Sequence, residues 1–401
     1  MAALRNPIQV MLAWGVFGSC AHCFVYCQLQ NMPSQPFISP QSRITILGAG
    51  LLGRLMALEL SGRGFSIDLY DRGGPDAEHA AARVAAAMLA PLAESAVTEH
   101  GVVRMGQYGL QRWPALLAQL EAPVFLQQAG TMVVWHRQDA AEAQRFHGIL
   151  QRTQAAIPEL PPLQTLGAPQ IAELEPALAR HFQAAYYLPG EGQLDNRQLL
   201  AALVPALQAR GVRLHWQQAR ELNDFAPGTQ GQPDLLIDTR GLGAKPQWSQ
   251  LRGVRGEVLR VHAPEVQLRR PTRLMHPRYP IYIAPKQDHH FVIGATEIES
   301  DDMSPASVRS AMELLSAAYT VHSGFAEARI LEINTQCRPT LPDNLPAIRQ
   351  VRPRVLEVNG LYRHGFMISP AVLDCAVELL LTGEAPLAAR FGMDVRLLAT
   401  A

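Results

Sequence analysis

The sequence predicts an α/β fold in which a Rossmann-like domain is joined to a second domain built on a mostly antiparallel sheet. Two observations support this prediction. Residues 43–71 hold the motif G-x-G-x-x-G between a strand-type apolar run at 43–47 and a segment with a helical apolar stripe. Three later segments, 257–261, 279–285 and 290–296, alternate in strand fashion and favour a separate antiparallel sheet. The motif predicts a bound dinucleotide, and the second sheet is a candidate substrate wall.

The three glycines of the motif have separate functions. Gly48 permits a tight turn, Gly50 lets the backbone approach a pyrophosphate at a helix N-terminus, and Gly53 allows the helix to pack closely on the strand. A second strand is predicted at residues 65–70. Asp71 follows it about twenty residues after the glycines, where a carboxylate accepts hydrogen bonds from an adenosine ribose and repels a 2′-phosphate. The motif alone does not separate NAD from FAD.

Composition and charge favour an ordinary enzyme that acts on small molecules. The chain has 401 residues, is 17% charged and carries a formal net charge of +0. Its length suggests two or three domain-sized units. Without a basic excess, and with few aromatic residues, nothing indicates a nucleic-acid partner.

The N-terminal stretch departs from this pattern. Residues 10–29 are uncharged and mostly apolar, which is compatible with a signal anchor or a marginal membrane span. Cys20, Cys23 and Cys27 have a spacing that could hold a metal, but no fourth ligand except His22 is apparent, so no metal is predicted. A start at Met32 is the more economical interpretation, in which residues 1–31 are disordered or not native and a polar linker leads into the first strand. Residues 1–42 are then an N-terminal extension and linker, disordered or not native, outside the two domains. The isolated Cys337 and Cys375 favour a reducing, cytoplasmic compartment; the alternative is peripheral attachment to the inner membrane.

Further elements follow along the chain. Residues 83–92 are rich in small side chains, which suits backbone lying against a ligand or, equally, a helix-packing stripe. A helix is predicted over 103–120 and a strand over 130–135. Asp195 is the predicted N-cap of a helix reaching Arg210, because apolar residues recur on one face after it. Strands are predicted at 212–216 and 234–238, the latter running into a glycine turn at 239–244.

Two arginines stand among turn-forming residues in the C-terminal part. Arg338 lies in the run CRPTLPD, and Arg363 with His364 precedes Gly365 and a predicted helix. Pro370 suits the first turn of that helix. An arginine in a loop is usually only solvated, so neither position alone identifies a site.

Taken together, these segments resemble the D-amino-acid oxidase superfamily of flavoproteins, and most closely its glycine oxidase branch, the type linked to thiamine biosynthesis. AAAMLAP at 85–91 with Glu94 is similar to the family's small-residue stretch, and DTRGLGA at 238–244 to its glycine turn. VRGEV at 254–258, IYIAPK at 281–286, VIGAT at 292–296, RPTLPD at 338–343 and YRHGF at 362–366 resemble further family segments. The resemblance extends from residue 43 to about residue 381.

The resemblance implies a D-amino-acid oxidase/glutathione-reductase-like architecture. Its FAD-binding domain would comprise residues 43–92, 188–250 and 334–392, and its substrate domain residues 93–187 and 251–333. The implied cofactor-binding residues come from the glycine motif, the end of the second strand, the small-residue stretch and the two later glycine turns: Gly48, Ala49, Gly50, Leu51, Leu52, Gly53, Asp71, Arg72, Ala87, Met88, Gly241, Gly243, Gly365, Phe366 and Met367.

The resemblance also implies the catalytic residues. Arg338 would pair with the substrate carboxylate, because its planar fork suits a bidentate contact. Tyr282 would lie beside that carboxylate, and Arg363 near the flavin and the substrate. Gly365 and Phe366 would present backbone N–H groups to the flavin pyrimidine at a helix N-terminus.

The chain departs from the family at several positions. Ala82-Arg83 stands where relatives often have Ser-Trp, so a hydroxyl that commonly bonds an FAD phosphate is missing. Ala87 replaces a glycine, and His364 replaces an asparagine close to the approach of substrate or dioxygen, which makes His364 a candidate catalytic residue. Cys337 is one position out of register for covalent flavin attachment. Noncovalent FAD is therefore predicted.

The implied reaction is oxidation of the α C–H of a small amino acid or secondary amine by hydride transfer to flavin N5. The products are a 2-oxo acid and an amine or ammonia, with hydrogen peroxide formed if dioxygen is the acceptor. Two alternatives stay open: a membrane-associated amino-acid dehydrogenase that passes electrons to a quinone, and a non-catalytic flavin-binding protein. A homo-oligomer is possible, and the sequence does not identify the substrate among glycine, sarcosine, D-amino acids and larger amines.

Overall fold

A computed structural model describes residues 37–275 and 281–398, which lie in one compact unit that begins at Pro36. The N-terminal apolar stretch with its cysteines lies outside the described residues. In the described part of the chain, helices and strands alternate around two large sheets, so the predicted α/β class is confirmed.

A seven-stranded sheet contains the predicted Rossmann-like unit. Of the six pairs of neighbouring strands in this sheet, five are parallel. The antiparallel pair joins Ala347–Arg352 and Val355–Asn359. The order of strands across the sheet is Asp394–Arg396, Ala347–Arg352, Val355–Asn359, Leu235–Asp238, Arg43–Leu47, Ser66–Tyr70 and Arg213–His215. The first strand thus lies between the second strand and a strand that follows it by almost two hundred residues.

The second sheet has eight strands and is mostly antiparallel, as predicted. Only the pair formed by Thr131–Val134 and Thr272–Leu274 is parallel. The order is Arg329–Thr340, Arg252–His262, His290–Gly294, Ile281–Pro285, Thr272–Leu274, Thr131–Val134, Ala184–Leu188 and Gln164–Gly167. A small third sheet joins Met88–Leu89, Gly192–Leu194 and Leu126–Gln127.

Ten α-helices are described between residues 51 and 391. They are Leu51–Gly62, Ala81–Val84, Pro91–Glu94, His100–Leu117, Ala140–Ala156, Ala168–Leu174, Asn196–Ala209, Val308–Val321, Gly365–Thr382 and Pro386–Phe391. Six short 3-10 segments connect other elements, at Arg137–Asp139, Pro176–Leu178, Leu222–Asp224, Gly241–Ala244, Ser323–Glu327 and Tyr362–His364. The predicted N-cap is present, because the Asp195 carboxylate accepts from the backbone N–H groups of Arg197 and Gln198.

Two apolar cores stabilise the sheets. The larger packs the helices Leu51–Gly62, His100–Leu117 and Gly365–Thr382 on the seven-stranded sheet, and the other packs Val308–Val321 on the eight-stranded sheet. The segment 362–382 is long and apolar enough to cross a bilayer, but 72% of its most apolar window is buried in the protein. Core packing therefore accounts for its composition.

Helix Gly365–Thr382 begins where it was predicted, but the predicted place of Pro370 in its first turn was wrong. The helix begins at Gly365, so Pro370 lies within it and not in its first turn. Proline has no N–H to give to the carbonyl of the residue four positions earlier, Phe366. The indole N–H of Trp113 donates to that carbonyl at 2.9 Å and replaces the missing bond.

Two of the predicted domain boundaries do not coincide with the ends of strands. Strand Arg329–Thr340 belongs to the eight-stranded sheet along its whole length and crosses the predicted boundary at residue 334. Strand Asp394–Arg396 extends the seven-stranded sheet beyond the predicted end at residue 392. The division into two domains stays a prediction.

Candidate active site

A cleft of about 710 Å³ runs along the carboxyl ends of the central strands of the seven-stranded sheet and reaches the eight-stranded sheet. Of the predicted cofactor residues, all but two line it. The lining includes Gly48, Gly50, Leu51, Leu52, Asp71, Arg72, Ala87, Met88, Gly241, Gly243, Gly365, Phe366 and Met367. Ala49 and Gly53 do not line the cleft. They lie in the glycine turn behind it, where Ala49 donates its N–H to Asp71 and Gly53 packs against the carbonyl of Gly48.

The glycine motif forms a turn in which side chains have no room. Gly48 has φ +93°, and a Cβ there would lie 2.7 Å from the Cα of Arg240. A Cβ at Gly53 would lie 1.9 Å from the carbonyl oxygen of Gly48. At Gly50 the nearest atom to such a Cβ is 3.8 Å away, so the backbone is open towards the cleft. The first turn of helix Leu51–Gly62 therefore presents its unpaired amides there.

A buried arginine supports this turn from behind. Arg54 has no exposed surface and donates to three carbonyls, those of Ala49 at 2.7 Å, Leu200 at 2.6 Å and Pro75 at 2.8 Å. Burial lowers the pKa of Arg54 to about 10, and the charge of Asp71 is the largest influence that opposes it. The side chain thus fixes the glycine turn relative to two distant segments.

Asp71 lies at one end of the cleft, as the motif requires for a ribose contact. Its Oδ2 accepts from the backbone N–H of Ala49 at 2.6 Å, and its Oδ1 accepts from Gly73 at 2.7 Å. The carboxylate is therefore held in place by the glycine turn itself.

The small-residue stretch does both things that its composition allows: its first half lines the cleft, and its second half packs in the apolar cores. Ala85, Ala86, Ala87 and Met88 line the cleft between the short helix Ala81–Val84 and the strand Met88–Leu89. Ala87 has φ +54°, in the left-handed region that favours glycine. This conformation is consistent with the glycine that the family resemblance implies at the position of Ala87.

The four predicted catalytic residues line the cleft at its other end. Tyr282 comes from strand Ile281–Pro285, Arg338 from strand Arg329–Thr340, and Arg363 with His364 from the turn before helix Gly365–Thr382. Segments far apart in sequence thus bring them together.

Arg338 differs from the other charged groups at this end. Its guanidinium donates only to backbone carbonyls among the described residues, to Thr296 at 3.1 Å and, at longer distances, to Arg255 at 3.4 Å and Val254 at 3.5 Å. Gly256 makes room for it, because a Cβ there would lie 2.4 Å from Nη2. Burial, followed by the neighbouring Arg363, lowers the pKa of Arg338. Within the described chain this cation has no carboxylate partner.

Arg363, in contrast, is held by two carboxylates. Its Nε lies 3.0 Å from Oε2 of Glu94, and its Nη1 lies 2.5 Å from Oε2 of Glu297. The hydroxyl of Tyr362 donates to the other oxygen of Glu297 at 2.5 Å. Arg363 is therefore paired before any substrate binds.

Glu94 connects the residues of this end. The Tyr282 hydroxyl donates to it at 2.9 Å, and a guanidinium N–H of Arg273 donates to the Tyr282 oxygen at 3.0 Å. Burial acts to raise the pKa of Glu94, but Arg363, His364 and Arg273 outweigh it and lower the pKa to about 2. Glu94 is thus a buried anion that fixes Tyr282 and Arg363.

His364 is buried behind these charges, with Nδ1 at 3.6 Å from Oε2 of Glu94. Burial lowers its pKa to about 4, and Glu94 only partly opposes this. The ring is therefore uncharged at neutral pH. Its influence on catalysis stays a prediction.

Sequence reasoning did not assign Arg273, Glu297 or Glu191 to the site. Glu94 was noticed only as part of a family segment. A carboxylate within the otherwise apolar run APLAESA, and an arginine in the short strand Thr272–Leu274, were the available signals. Cys337 is buried, and its Sγ lies 3.5 Å from the carbonyls of Ser300 and Asp302.

Glu191 allows a prediction about pH and stability. Burial raises its pKa to about 7 from an ordinary 4.5, despite a 2.7 Å hydrogen bond from the backbone of Ala93. The folded protein then binds this proton more tightly than the unfolded chain, so the free energy of unfolding falls as pH rises from 4.5 to about 7. In the wild type this loss should be at most about 1.4 kcal/mol per pH unit, and Glu191→Gln should remove it. Urea unfolding at several pH values from 5 to 8 measures both proteins.

The exposed Glu159→Gln serves as the control for this series and should keep the wild-type slope. If Glu191→Gln also follows the wild-type pH profile, then Glu191 is ionised in the folded protein at neutral pH.

Comparison with known proteins agrees with this geometry. A family model described as DAO, FAD dependent oxidoreductase, matches residues 43–379. The chain is 40% identical to the putative thiamine biosynthesis oxidoreductase ThiO of Rhizobium etli over 346 residues, which cover 85% of this chain and 97% of that protein. It is 26% identical to the glycine oxidase of Geobacillus kaustophilus, over 82% of this chain and 89% of that protein.

Solved structures show the same fold. The crystal structure of the Geobacillus kaustophilus glycine oxidase superposes with a TM-score of 0.72 at 23% identity, covering 85% of this chain and 95% of that one. Iminodiacetate oxidase from Chelativorans superposes with a TM-score of 0.74 at 22% identity, covering 88% and 99%.

Proposed function

The chain belongs to the DAO family of FAD-dependent oxidoreductases, and from this premise we propose that it oxidises the α C–H bond of a small amino acid or secondary amine. The substrate would be of the glycine, sarcosine or D-amino-acid type. The products would be a 2-oxo acid and an amine or ammonia, with dioxygen reduced to hydrogen peroxide. The similarity to a glycine oxidase and to a thiamine biosynthesis oxidoreductase supports this proposal.

The residues of the cleft fit FAD. Two helices, Leu51–Gly62 and Gly365–Thr382, present their N-termini to it, where unpaired amides and the helix dipole favour negative charge. A Cβ at Gly365 would meet no atom within 4 Å, so its backbone is accessible from the cleft. Gly48 to Leu52 would hold the pyrophosphate, Asp71 the ribose, and Gly365 to Met367 the flavin pyrimidine. When bound, FAD supplies the acceptor for two electrons.

The unpaired Arg338 is the observation that carries the proposal. Arg338 is half-buried, lines the cleft and feels Glu297 and Glu94 without contacting either, so a substrate carboxylate could form a charge-assisted bidentate pair with it. Arg363 already has two carboxylates, so it is less suited to this task and more suited to holding the site in shape. We therefore assign the substrate carboxylate to Arg338.

Tyr282 and His364 complete the binding end. Burial raises the pKa of Tyr282 well above 10, so its hydroxyl stays protonated, and Arg273 and Glu94 fix its orientation. The uncharged His364 does not compete with Arg338 for the carboxylate. These groups orient the substrate, and no strong general base is required of them.

An anaerobic screen of flavin reduction tests the function. At least one of glycine, sarcosine and D-alanine should bleach the flavin, whereas ethylamine and methylamine, which lack the carboxylate, should not. In air, the active substrates should produce hydrogen peroxide. Bleaching followed by turnover only with an artificial acceptor would establish the dehydrogenase alternative. A flavin that no amine reduces would leave a non-catalytic flavin-binding protein.

We also expect the FAD to be noncovalent. Cys337 lines the cleft, but its Sγ contacts the carbonyls of Ser300 and Asp302, and burial raises the pKa of the thiol, so the reactive thiolate is disfavoured. Acid precipitation should release all yellow pigment into the supernatant, with the chromatographic mobility of FAD. Pigment that stays with the precipitate would contradict this expectation.

A further inference from the structure

Lys286 is a buried side chain that the proposed reaction does not use. It follows strand Ile281–Pro285, is 7% exposed and is one of only two lysines in the chain, although the chain has 35 basic residues. Its Nζ donates to three oxygens, the carbonyls of Ala86 at 2.9 Å and Leu194 at 2.8 Å and the Oε1 of Gln193 at 2.9 Å. Three acceptors use all three N–H bonds of an ammonium group.

One of these acceptors belongs to the strained turn beside the cofactor cleft. Ala87 has φ +54°, a conformation that costs an L-residue about 1 to 2 kcal/mol and persists only where surrounding contacts impose it. Two contacts do so here. Lys286 holds the carbonyl of Ala86, and the backbone N–H of Leu194 holds the carbonyl of Ala87 at 3.2 Å. Both contacts come from outside the turn.

The lysine itself is fixed by its surroundings. The side-chain amide of Gln193 donates to the Pro285 carbonyl at 2.7 Å and to Oε1 of Gln127 at 2.9 Å, so the amide oxygen is oriented towards Nζ. The branched, planar guanidinium of arginine does not match three convergent oxygens around one nitrogen. This geometry favours a lysine here, in a chain in which all but two of the 35 basic residues are arginine.

We propose that Lys286 is a positioning residue for the cofactor: it holds the Ala86–Met88 turn in the conformation that lines the FAD cleft. The side chain reaches the turn from the strand that carries Tyr282, so it connects the substrate sheet to the cofactor site. The proposal depends on FAD binding, which family membership supports, and is independent of which amine is oxidised.

The test measures FAD release from the full-length holoenzyme, followed by the fluorescence of the freed flavin after dilution. It is done at pH 6, because burial lowers the pKa of Lys286 to about 7, with Asp195 opposing and Arg260 adding to the effect. Lys286→Met removes the three donors and keeps the apolar stem. Without these donors the strained conformation of Ala87 is no longer held in place. FAD release should then be about fivefold to thirtyfold faster than in the wild type, the ratio of rates that corresponds to 1 to 2 kcal/mol.

The same substitution in an Ala87→Gly background is the matched control. Glycine adopts φ +54° without cost, so the turn no longer needs the lysine. Lys286→Met should then change FAD release by no more than about twofold, giving a coupling between the two positions in a double-mutant cycle. An equal acceleration in both backgrounds would overturn the proposal, because a general loss of stability does not depend on residue 87.

Gln193→Met provides a second route if Lys286→Met yields no holoenzyme. It removes one acceptor, leaves the charge in place, and should accelerate FAD release by a smaller factor that again disappears with Ala87→Gly. FAD release that is insensitive to Gln193→Met in the Ala87 background would also overturn the proposal.

Discussion

Arg338→Ala is expected to lower kcat/KM for the best amino-acid substrate by about a hundredfold to several thousandfold. The variant leaves a desolvated substrate carboxylate without its charge-assisted partner, a loss of roughly 3 to 5 kcal/mol. Transition-state arithmetic converts that loss into the stated factor. Steady-state kinetics with anaerobic flavin reduction measure it.

Two further variants sharpen this experiment. Arg338→Lys keeps the charge but not the planar fork, so it should recover only part of the activity. Arg329→Ala, at the exposed far end of the same strand, should leave kcat/KM unchanged. FAD content should be the same in all three. Near-native flavin reduction by Arg338→Ala would instead mean that the carboxylate binds elsewhere, or that the substrate has none.

Glu94→Gln is expected to cost about 3 to 5 kcal/mol of stability, because it leaves the buried guanidinium of Arg273 without its neighbouring anion and removes one of the two carboxylates of Arg363. A difference of that size should lower the Tm by several degrees. Glu299→Gln is the matched control. It breaks an ion pair with Arg252 in which the Glu299 side chain is 68% exposed, and should cost less than about 1 kcal/mol.

The pH dependence of the Glu94 effect follows from its depressed pKa. The stabilisation by the charged Glu94 is fully present above its ordinary pKa of 4.5 and is lost as pH falls through about 2. The difference in unfolding free energy between wild type and Glu94→Gln should therefore shrink between pH 4.5 and 2. A difference that stays constant across this range would show that lost packing, and not lost charge, causes the destabilisation.

Elements with local signals were predicted well from the sequence. Strand Arg43–Leu47 has the predicted bounds, and helix Asn196–Ala209 begins after the predicted N-cap, because strand, turn and capping preferences depend on neighbouring residues. Pro370 was placed in the wrong turn because the bond that replaces its missing N–H comes from Trp113, more than two hundred residues away.

The site was accessible to sequence reasoning only in part. Tyr282, Arg338 and Arg363 were found through the family resemblance, since no local pattern shows that three distant segments converge. Whether an arginine is paired depends on burial and on partners such as Glu297, which a sequence does not display. The contrast between the paired Arg363 and the unpaired Arg338 therefore emerged only from the structure.

The strand order of the seven-stranded sheet has a consequence for how the protein is made. Strand Arg43–Leu47 has Leu235–Asp238 as a neighbour, and Arg54 behind the glycine turn bonds the carbonyl of Leu200. A nascent chain that has emerged only through residue 71 thus contains the glycine motif but not the complete pocket, and helix Gly365–Thr382 is synthesised almost three hundred residues later. The entropy cost of closing such long loops must be met before the long-range contacts can stabilise the fold. We therefore expect FAD to bind a nearly complete fold, and FAD that binds the folded chain alone would stabilise it against unfolding.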